Sequence, residues 1–445
     1  MLKNYFKIAW RNLKKNRLYA FVNITGLTVG IVSCLLIGVY IKNELGYDRF
    51  NENADKIVRV TMEYGLGGAA QKIAVTGTKV GPQFKRTFPE LVDFVRLEKR
   101  SGVITYNNRV FEENNVLYAD PSFFKIFSFK LIKGDASALN TTDKIIITEK
   151  VAKKYFDTEN PIGKMLKIGD QNFMVSALAM DAPENSQIKF DFIISFNKLS
   201  ASKKEKWWEA NYITYLLLKD KDQIQPLQKQ IAFYMRSVSK GELKLIGSQY
   251  LTYHLEPLTS VHLYSSLSSD LEPNGSITYI YIMVIVAVLI LIIACVNYVN
   301  LSIAQSAGRS AEIGIRKVMG AAKGQLFRQF IGESLFVTGV GVLLAIGLAF
   351  VLLPSFNQIS GKAIQFNALF DPVILGSLVL LGIAIGFAAG AYPALLLSGV
   401  KLIRILKSGF SFTSGQGVRK SLIVFQFIIS IFLIITTVVI LQQLS

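Results

Sequence analysis

Five long apolar runs without a single Lys, Arg, Asp or Glu constrain this chain more than any other feature: 18–41, 279–299, 335–353, 372–397 and 422–441. The hydrocarbon core of a bilayer is about 30 Å thick and takes about 20 residues of helix to cross, with every backbone polar group paired inside the segment. A helix buried in a soluble protein rarely runs so far without a charge. Each run is therefore expected to span a membrane, and the 51% hydrophobic content is concentrated in them.

The placement of charge sets an expected topology. Of the net +18, segments 1–17, 300–334 and 398–421 carry sixteen basic residues against two acidic, whereas 42–278 carries 32 basic and 28 acidic. Short basic segments alternating with neutral ones follow the positive-inside pattern, not the continuous basic surface of a nucleic-acid binder. The N-terminus, 300–334 and 398–421 are then cytoplasmic, and 42–278 and the short loop 354–371 lie outside. The first run is too long for a cleaved signal peptide and lacks a small-residue cleavage site, so it reads as a retained signal anchor. Cys34 and Cys295 both fall inside runs, leaving no structural disulfide or cysteine metal site to expect.

Segment 42–278 has the texture of a folded domain. Runs rich in Val, Ile, Tyr and Thr at 56–62, 144–148, 173–178 and 212–218 read as strands, and 80–88 and 149–156 read as helices. Turns are marked at Lys133-Gly134-Asp135, Pro161-Ile162-Gly163 and Asp181-Ala182-Pro183. The expected fold is a polytopic α-helical membrane protein with a large α+β extracytoplasmic domain inserted between the first and second transmembrane helices.

The cytoplasmic segment 300–334 is patterned beyond what charge near a membrane requires. Glu312 and Arg316 are four apart with the acid first, the favourable order for a helical ion pair. Ile315, Val318 and Met319 form an apolar stripe at helical spacing, Gly320 is a helix stop, and 325–333 restarts an amphipathic helix leading into the third span. A basic amphipathic helix commonly anchors to lipid headgroups. Lipid attraction does not account for the order Glu312, Gly314, Arg316, Lys317 with Gly320 close behind.

These residues carry a resemblance. The run Arg309 to Ala321, followed by Gln329, Phe330, Gly332, Glu333 and Ser334 and preceded by Asn297-Tyr298-Val299-Asn300-Leu301, resembles the signature of MacB/FtsX-like permeases. Within 42–278, the stretches 120–127 (Asp120, Pro121, Phe123, Phe124, Phe127), 152–156 and 160–164 (Asn160, Pro161, Gly163) resemble that family's periplasmic domain. Ala9-Trp10-Arg11-Asn12-Leu13 resembles its N-terminal amphipathic helix. The resemblance implies a permease of the cell inner membrane that works with a cytoplasmic ABC ATPase dimer, which binds the ATP. It implies pairing with a second permease half or a homodimer partner, contact with the bilayer, and a periplasmic adaptor as a candidate partner. It places ATPase coupling on Arg309, Glu312, Gly314, Arg316, Lys317, Gly320 and Glu333, and motion passed to the periplasmic domain by mechanotransmission. The best-known members have four spans per subunit. The stretch 417–430 resembles a renewed first span, as in Bacteroidota-like permeases with two repeats, so the sequence is expected to be the first half of a longer protein.

Enzymatic chemistry is not expected. No Walker A sequence is present, since 65–72 and 320–324 both lack the Gly-Lys-Ser/Thr ending, so no cofactor site is assigned to this chain. The two histidines, His254 and His262, are eight apart without partner ligands and read as surface or turn residues, not metal ligands. Asp181 and Glu184 flank a proline turn and are not taken as a catalytic pair. Trp207-Trp208 reads either as a partner-binding patch or as domain packing. Export of hydrophobic drugs, antimicrobial peptides or lipoproteins stands first. Regulation of cell-wall hydrolases without transport, in the manner of the cell-division member, is the alternative. A ligand-sensing receptor is a third, and no kinase, cyclase or methyl-accepting segment follows a span to support it.

Overall fold

The computed structural model describes residues 11, 14, 17–66, 69–107, 109–238, 250–308, 315, 318, 319, 322–399 and 416–444. They form two units, Asn43–Ile277 and the remainder on either side of it. Among the described residues five helices are long and apolar enough to cross a membrane. These are α1 (Arg17–Leu45), α7 (Ile277–Gly308), α8 (Lys323–Ser360), α9 (Pro372–Gly399) and α10 (Gln416–Leu444).

Lipid is as apolar as leucine, so transmembrane helices associate through close packing of small residues more than through the hydrophobic effect. That is how this bundle is built. On α9, Gly382, Gly386 and Gly390 recur every four residues along one face. A Cβ there would meet Val342 at 3.0 Å, Leu335 at 2.8 Å and the Ser334 hydroxyl at 2.9 Å, all on α8. Gly30 of α1 lies against Ala294 of α7 in the same way, at 2.6 Å. Around these contacts Leu27, Ile31 and Leu35 of α1 pack with Ala345, Ala349 and Leu353 of α8 and Leu378 and Ile385 of α9. At one end, the Lys42 ammonium of α1 pairs with Asp371 at 2.5 Å, and Asp371 accepts the Val373 N–H at 2.9 Å to cap the first turn of α9. Residues Val424, Phe427, Ile428 and Ile434 of α10 are exposed, as are Tyr281, Ile285 and Val288 of α7.

The second unit is a mixed sheet with helices on its flanks. In chain order it contains β1 (Ile57–Leu66), β2 (Ala69–Ile73), α2 (Val80–Thr87), β3 (Leu91–Tyr106), β4 (Arg109–Ala119) and α3 (Phe123–Ile126). Then come β5 (Leu131–Lys133), β6 (Lys144–Thr148), α4 (Glu149–Phe156), β7 (Met165–Ile168), β8 (Gln171–Ala179) and β9 (Phe192–Ser195). It ends with β10 (Ile213–Leu218), α5 (Ile224–Val238), β11 (Leu251–Pro257) and α6 (Leu258–Tyr264). The strand order is β11-β1-β10-β3-β4-β9-β6-β8-β5, with β2 on β1 and β7 bridging β3 and β8. That last bridge closes β3-β4-β9-β6-β8-β7 into a ring. The β4–β9 and β6–β8 pairs are parallel and the others in the ring antiparallel.

Strand periodicity shows which faces are covered. Ile145 and Ile147 of β6, Phe192 and Ile194 of β9 and Val116 of β4 fill the ring with Phe173, Val175 and Leu166, under Val151, Tyr155 and Phe156 of α4. Their neighbours Ile146, Ile193 and Leu117 point to the opposite core, with Phe123, Phe127 and Tyr215. Strands covered on both faces need no polar positions, which is why 145–147, 192–194 and 215–218 are unbroken apolar runs within their strands. Phe123 stacks on Phe129 with centroids 5.4 Å apart and meets Phe190 edge-on at 5.7 Å. Gly134 turns the chain at φ +81°, where a Cβ would lie 2.3 Å from the Ser176 carbonyl oxygen, so glycine is required there.

Helix α4 begins where Thr148 accepts the Val151 N–H, and Asp181 accepts the Lys150 N–H at 3.1 Å. Asp181 therefore works as a helix cap, while Glu184 pairs with Lys189 at 3.7 Å. Trp207 is buried beside Phe84 and Tyr253, and Trp208 is partly exposed, which assigns Trp207 to domain packing.

Candidate coupling site and family

The expected coupling residues fall in two groups. Arg309, Glu312, Gly314, Arg316, Lys317 and Gly320 lie outside the described residues. Glu333 lies within them, on α8, where its Oε1 accepts a hydrogen bond from Gln329 Nε2 at 2.9 Å. The two side chains are one helical turn apart, the spacing at which helix neighbours meet. One residue on, Ser334 is buried, its hydroxyl beneath Gly390 of α9 and within hydrogen-bonding contact of the Tyr298 hydroxyl from α7. Glu333 thus sits beside a junction of three helices. Of the apolar stripe expected in the elbow, Ile315, Val318 and Met319 are all exposed, and the Met319 N–H bonds the Ile315 carbonyl at 3.0 Å in a helical turn. Helix α8 opens with Lys323 and Arg328 on the same short segment.

In the outer domain the polar side chains are mostly spent on one another. A cleft of about 500 Å³ beside β3 is lined by Glu98, Lys99, Arg100, Asn114, Asn211 and Asp270. Arg100 holds Glu98 at 2.7 Å, Lys99 holds Glu272, and Arg59 holds Asp270, so the cleft offers no spare charge of either sign. Glu113 accepts from both Lys154 at 2.6 Å and the Tyr155 hydroxyl at 2.7 Å; burial and this acceptor push the Tyr155 phenol up from its ordinary value. Burial alone would raise Glu63, but bonds from Tyr250, Lys72 and His254 outweigh it and hold its carboxyl below the usual value.

His254 and His262 behave differently, and one expectation is corrected. His254 stands on β11 with Nε2 2.8 Å from Glu63 and is partly exposed. His262, expected at the surface, is buried on α6. Its ring stacks on Tyr47 at 3.4 Å with planes 2° apart, Nε2 lies 3.0 Å from Glu44 and Nδ1 lies 3.2 Å from Gln187. A partner 218 residues away is invisible to local pattern, and that is why the sequence misplaces it.

Two family models match the chain in the order just described. The MacB-like periplasmic core domain covers residues 20–233 and the FtsX-like permease C-terminal covers 284–402, which contains the whole elbow. The chain belongs to the MacB/FtsX-like permeases of ABC transporters. The macrolide export ATP-binding/permease protein MacB of Shewanella sp. (strain W3-18-1) is 21% identical over 401 residues, which span 87% of this permease and 58% of that protein. The uncharacterized ABC transporter permease YknZ of Bacillus subtilis (strain 168) is 25% identical over 254 residues, 56% of this permease and 57% of YknZ. The solved periplasmic region of MacB from Actinobacillus actinomycetemcomitans is similar over 47% of this permease and 89% of that chain, with 16% identity and a TM-score of 0.32. This permease thus spans about 58% of the length of the MacB relative it matches. Its five apolar helices and family membership make it a multi-pass inner-membrane protein.

Proposed function

We propose that this permease couples ATP hydrolysis by a separate cytoplasmic ATPase dimer to motion of its outer domain, and exports a hydrophobic compound, antimicrobial peptide or lipoprotein. The observation that carries the reading is the elbow: a charged, glycine-punctuated sequence inside the FtsX-like stretch, carrying the exposed apolar residues Ile315, Val318 and Met319. An exposed apolar stripe flanked by Arg309, Glu312, Arg316 and Lys317 suits a protein partner, with apolar anchors at the centre and charges at the rim. Gly314 and Gly320 allow close backbone approach, and Glu333 accepts from Gln329 one turn back on the helix that follows, beside the three-helix junction. The 445 residues contain no Walker A sequence, which supports assigning hydrolysis to another subunit. The export reading draws on the MacB relative, whose name gives it macrolide export. The basic segments support a cytoplasmic N-terminus and elbow with 42–278 in the periplasm.

The test is charge reversal in the reconstituted complex. Arg316→Glu, and separately Lys317→Glu, are expected to lower cargo-stimulated ATP hydrolysis and transport at least tenfold, roughly the 1.4 kcal/mol of one lost charged contact, with an unchanged melting temperature. Full coupling in both variants would remove the elbow from the mechanism and return it to a lipid-anchor role.

A further inference from the structure

The outer domain's chain enters at Asn43 and leaves at Ile277. Just inside these points, a set of buried polar side chains joins the entry segment 44–48 to the exit loop 265–276 through Ser186 and Gln187. Gln187, fully buried, donates from Nε2 to the Glu272 carbonyl and to Asn274 Oδ1, both at 2.8 Å, and its Oε1 faces His262 Nδ1. Asp48 Oδ1 accepts from the Ser186 hydroxyl and the Gln187 N–H, both at 3.0 Å. Asn185 reinforces the entry side by donating to the Gly46 carbonyl at 2.8 Å and accepting the Asp48 N–H at 2.9 Å. On the exit side Gly275 fits only because it lacks a side chain: a Cβ would stand 2.9 Å from Glu44 Oε2 and 3.0 Å from His262 Nε2.

The bonding leaves a proton to account for. Asp48 is 1% exposed, and its Oδ2 is buried without a hydrogen-bond partner. An ionised carboxylate in that position would bury negative charge with one oxygen unsupported, a heavy cost. No cation among the described residues is paired with it. The charged and titratable groups around it are Asp270 on the exit loop, itself paired with Arg59 of β1, Tyr215 of β10, and, across Gln187, the His262–Glu44 pair of α6 and α1. Burial first, and then the Asp270 charge, push the Asp48 carboxyl up to about 7, against the opposing bonds from Gln187 and Ser186.

We propose that this cluster is a pH-operated clasp: with Asp48 protonated it holds the exit loop to the entry segment, and loss of that proton releases it. The ligand is the proton itself, and the response falls in the range through which a compartment open to the surroundings varies. Deprotonation repels Asp270, competes for its partner Arg59, and makes the Ser186–Gln187 hub carry a buried charge. The loop 265–276 is then held less tightly to residues 44–48.

Hydrogen exchange measured on the full chain in lipid nanodiscs, with each rate normalised for the intrinsic pH dependence, tests this. With the open segment titrating near the ordinary aspartate value and the closed one near 7, opening of 265–276 is expected to rise about tenfold between pH 6 and pH 8. Asp48→Asn keeps the shape and the tolerance for φ of +56° and is expected to flatten the response. Ser186→Ala removes a bond that favours the carboxylate and is expected to move the midpoint upward. A flat response in the wild-type chain overturns the proposal, as does an undiminished tenfold response in Asp48→Asn, which would place the titrating group elsewhere. Should Asp48→Asn fail to fold, a Ser186→Ala midpoint that stays or falls overturns it equally.

Discussion

Arg59 has no exposed side-chain surface, yet it meets Glu256 through Nε and Nη2, Ser265 through Nη2 at 2.8 Å and Asp270 through Nη1. Asp270 is itself only 6% exposed, so removing the guanidinium leaves a carboxylate buried without its cation. Arg59→Met is expected to destabilise the outer domain by about 3–5 kcal/mol, read as a drop in the urea midpoint of the full chain. Asp270→Asn in the same background is expected to recover part of that loss, because the stranded charge is then gone. Asp48 gives a pH signature at the same scale. Its folded value near 7 lies above the ordinary 3.8, so between those limits the folded chain binds more protons than the unfolded one. Its contribution is full at the acid end and lost as pH rises towards 7, to an extent of about 4 kcal/mol at most. Denaturation midpoints measured from pH 4 to pH 8 are expected to fall across that window in the wild type and to lose this component in Asp48→Asn. None of this was legible in the sequence. Arg59, Glu44 and His262 are ordinary residues until the fold brings partners from 197 to 218 positions away beside them.

At the scale of elements the sequence speaks more clearly. The apolar runs became helices because a segment of that length leaves no other way to satisfy its backbone in lipid, and 144–148 and 149–156 form strand and helix over the residues expected. Closure of the ring was not legible. It depends on β7, four residues long, meeting Ile104 and Thr105 of β3 across a span of sequence that carries no local sign of pairing. The packing of α9 on α8 was equally hidden, since glycine is common in membrane helices and only contact distances separate the tight positions from the free ones. Gly386→Ile and Gly390→Ile are expected to drive the two helices apart and lower the melting temperature of the detergent-solubilised protein by several degrees. Gly376→Ile, where a Cβ meets nothing within 4 Å, is expected to change it little. Equal losses at all three would remove close packing as the cause and leave only helix propensity.

For the whole molecule, orientation is the first matter to establish. With Cys34 and Cys295 replaced by alanine, a cysteine at Asp170, whose side chain is fully exposed, is expected to react with a membrane-impermeant maleimide in intact spheroplasts. A cysteine at the exposed Lys420 is expected to react only after lysis. The reverse pattern would invert the proposed topology and place the elbow out of reach of any cytoplasmic ATPase. The positive-inside asymmetry is the sequence signal for the proposed orientation, while the proposed coupling surface is legible only as a motif, because its meaning depends on a partner.

The ring of β3, β4, β9, β6, β8 and β7 is formed from residues 91–195, a continuous stretch that contains neither the entry nor the exit of the domain. Tension applied between Asn43 and Ile277 therefore has a short route. It passes from the entry segment through the Asp48–Gln187 hub, or through β1 and its seven-residue register with β11, directly to α6 and the exit loop. The closed barrel hangs off that load path. Pulled at its two junctions, the domain should yield first by unzipping β11 from β1, starting at the Val58–Pro257 end where both strands take the load, with the ring still intact as a late, separate rupture.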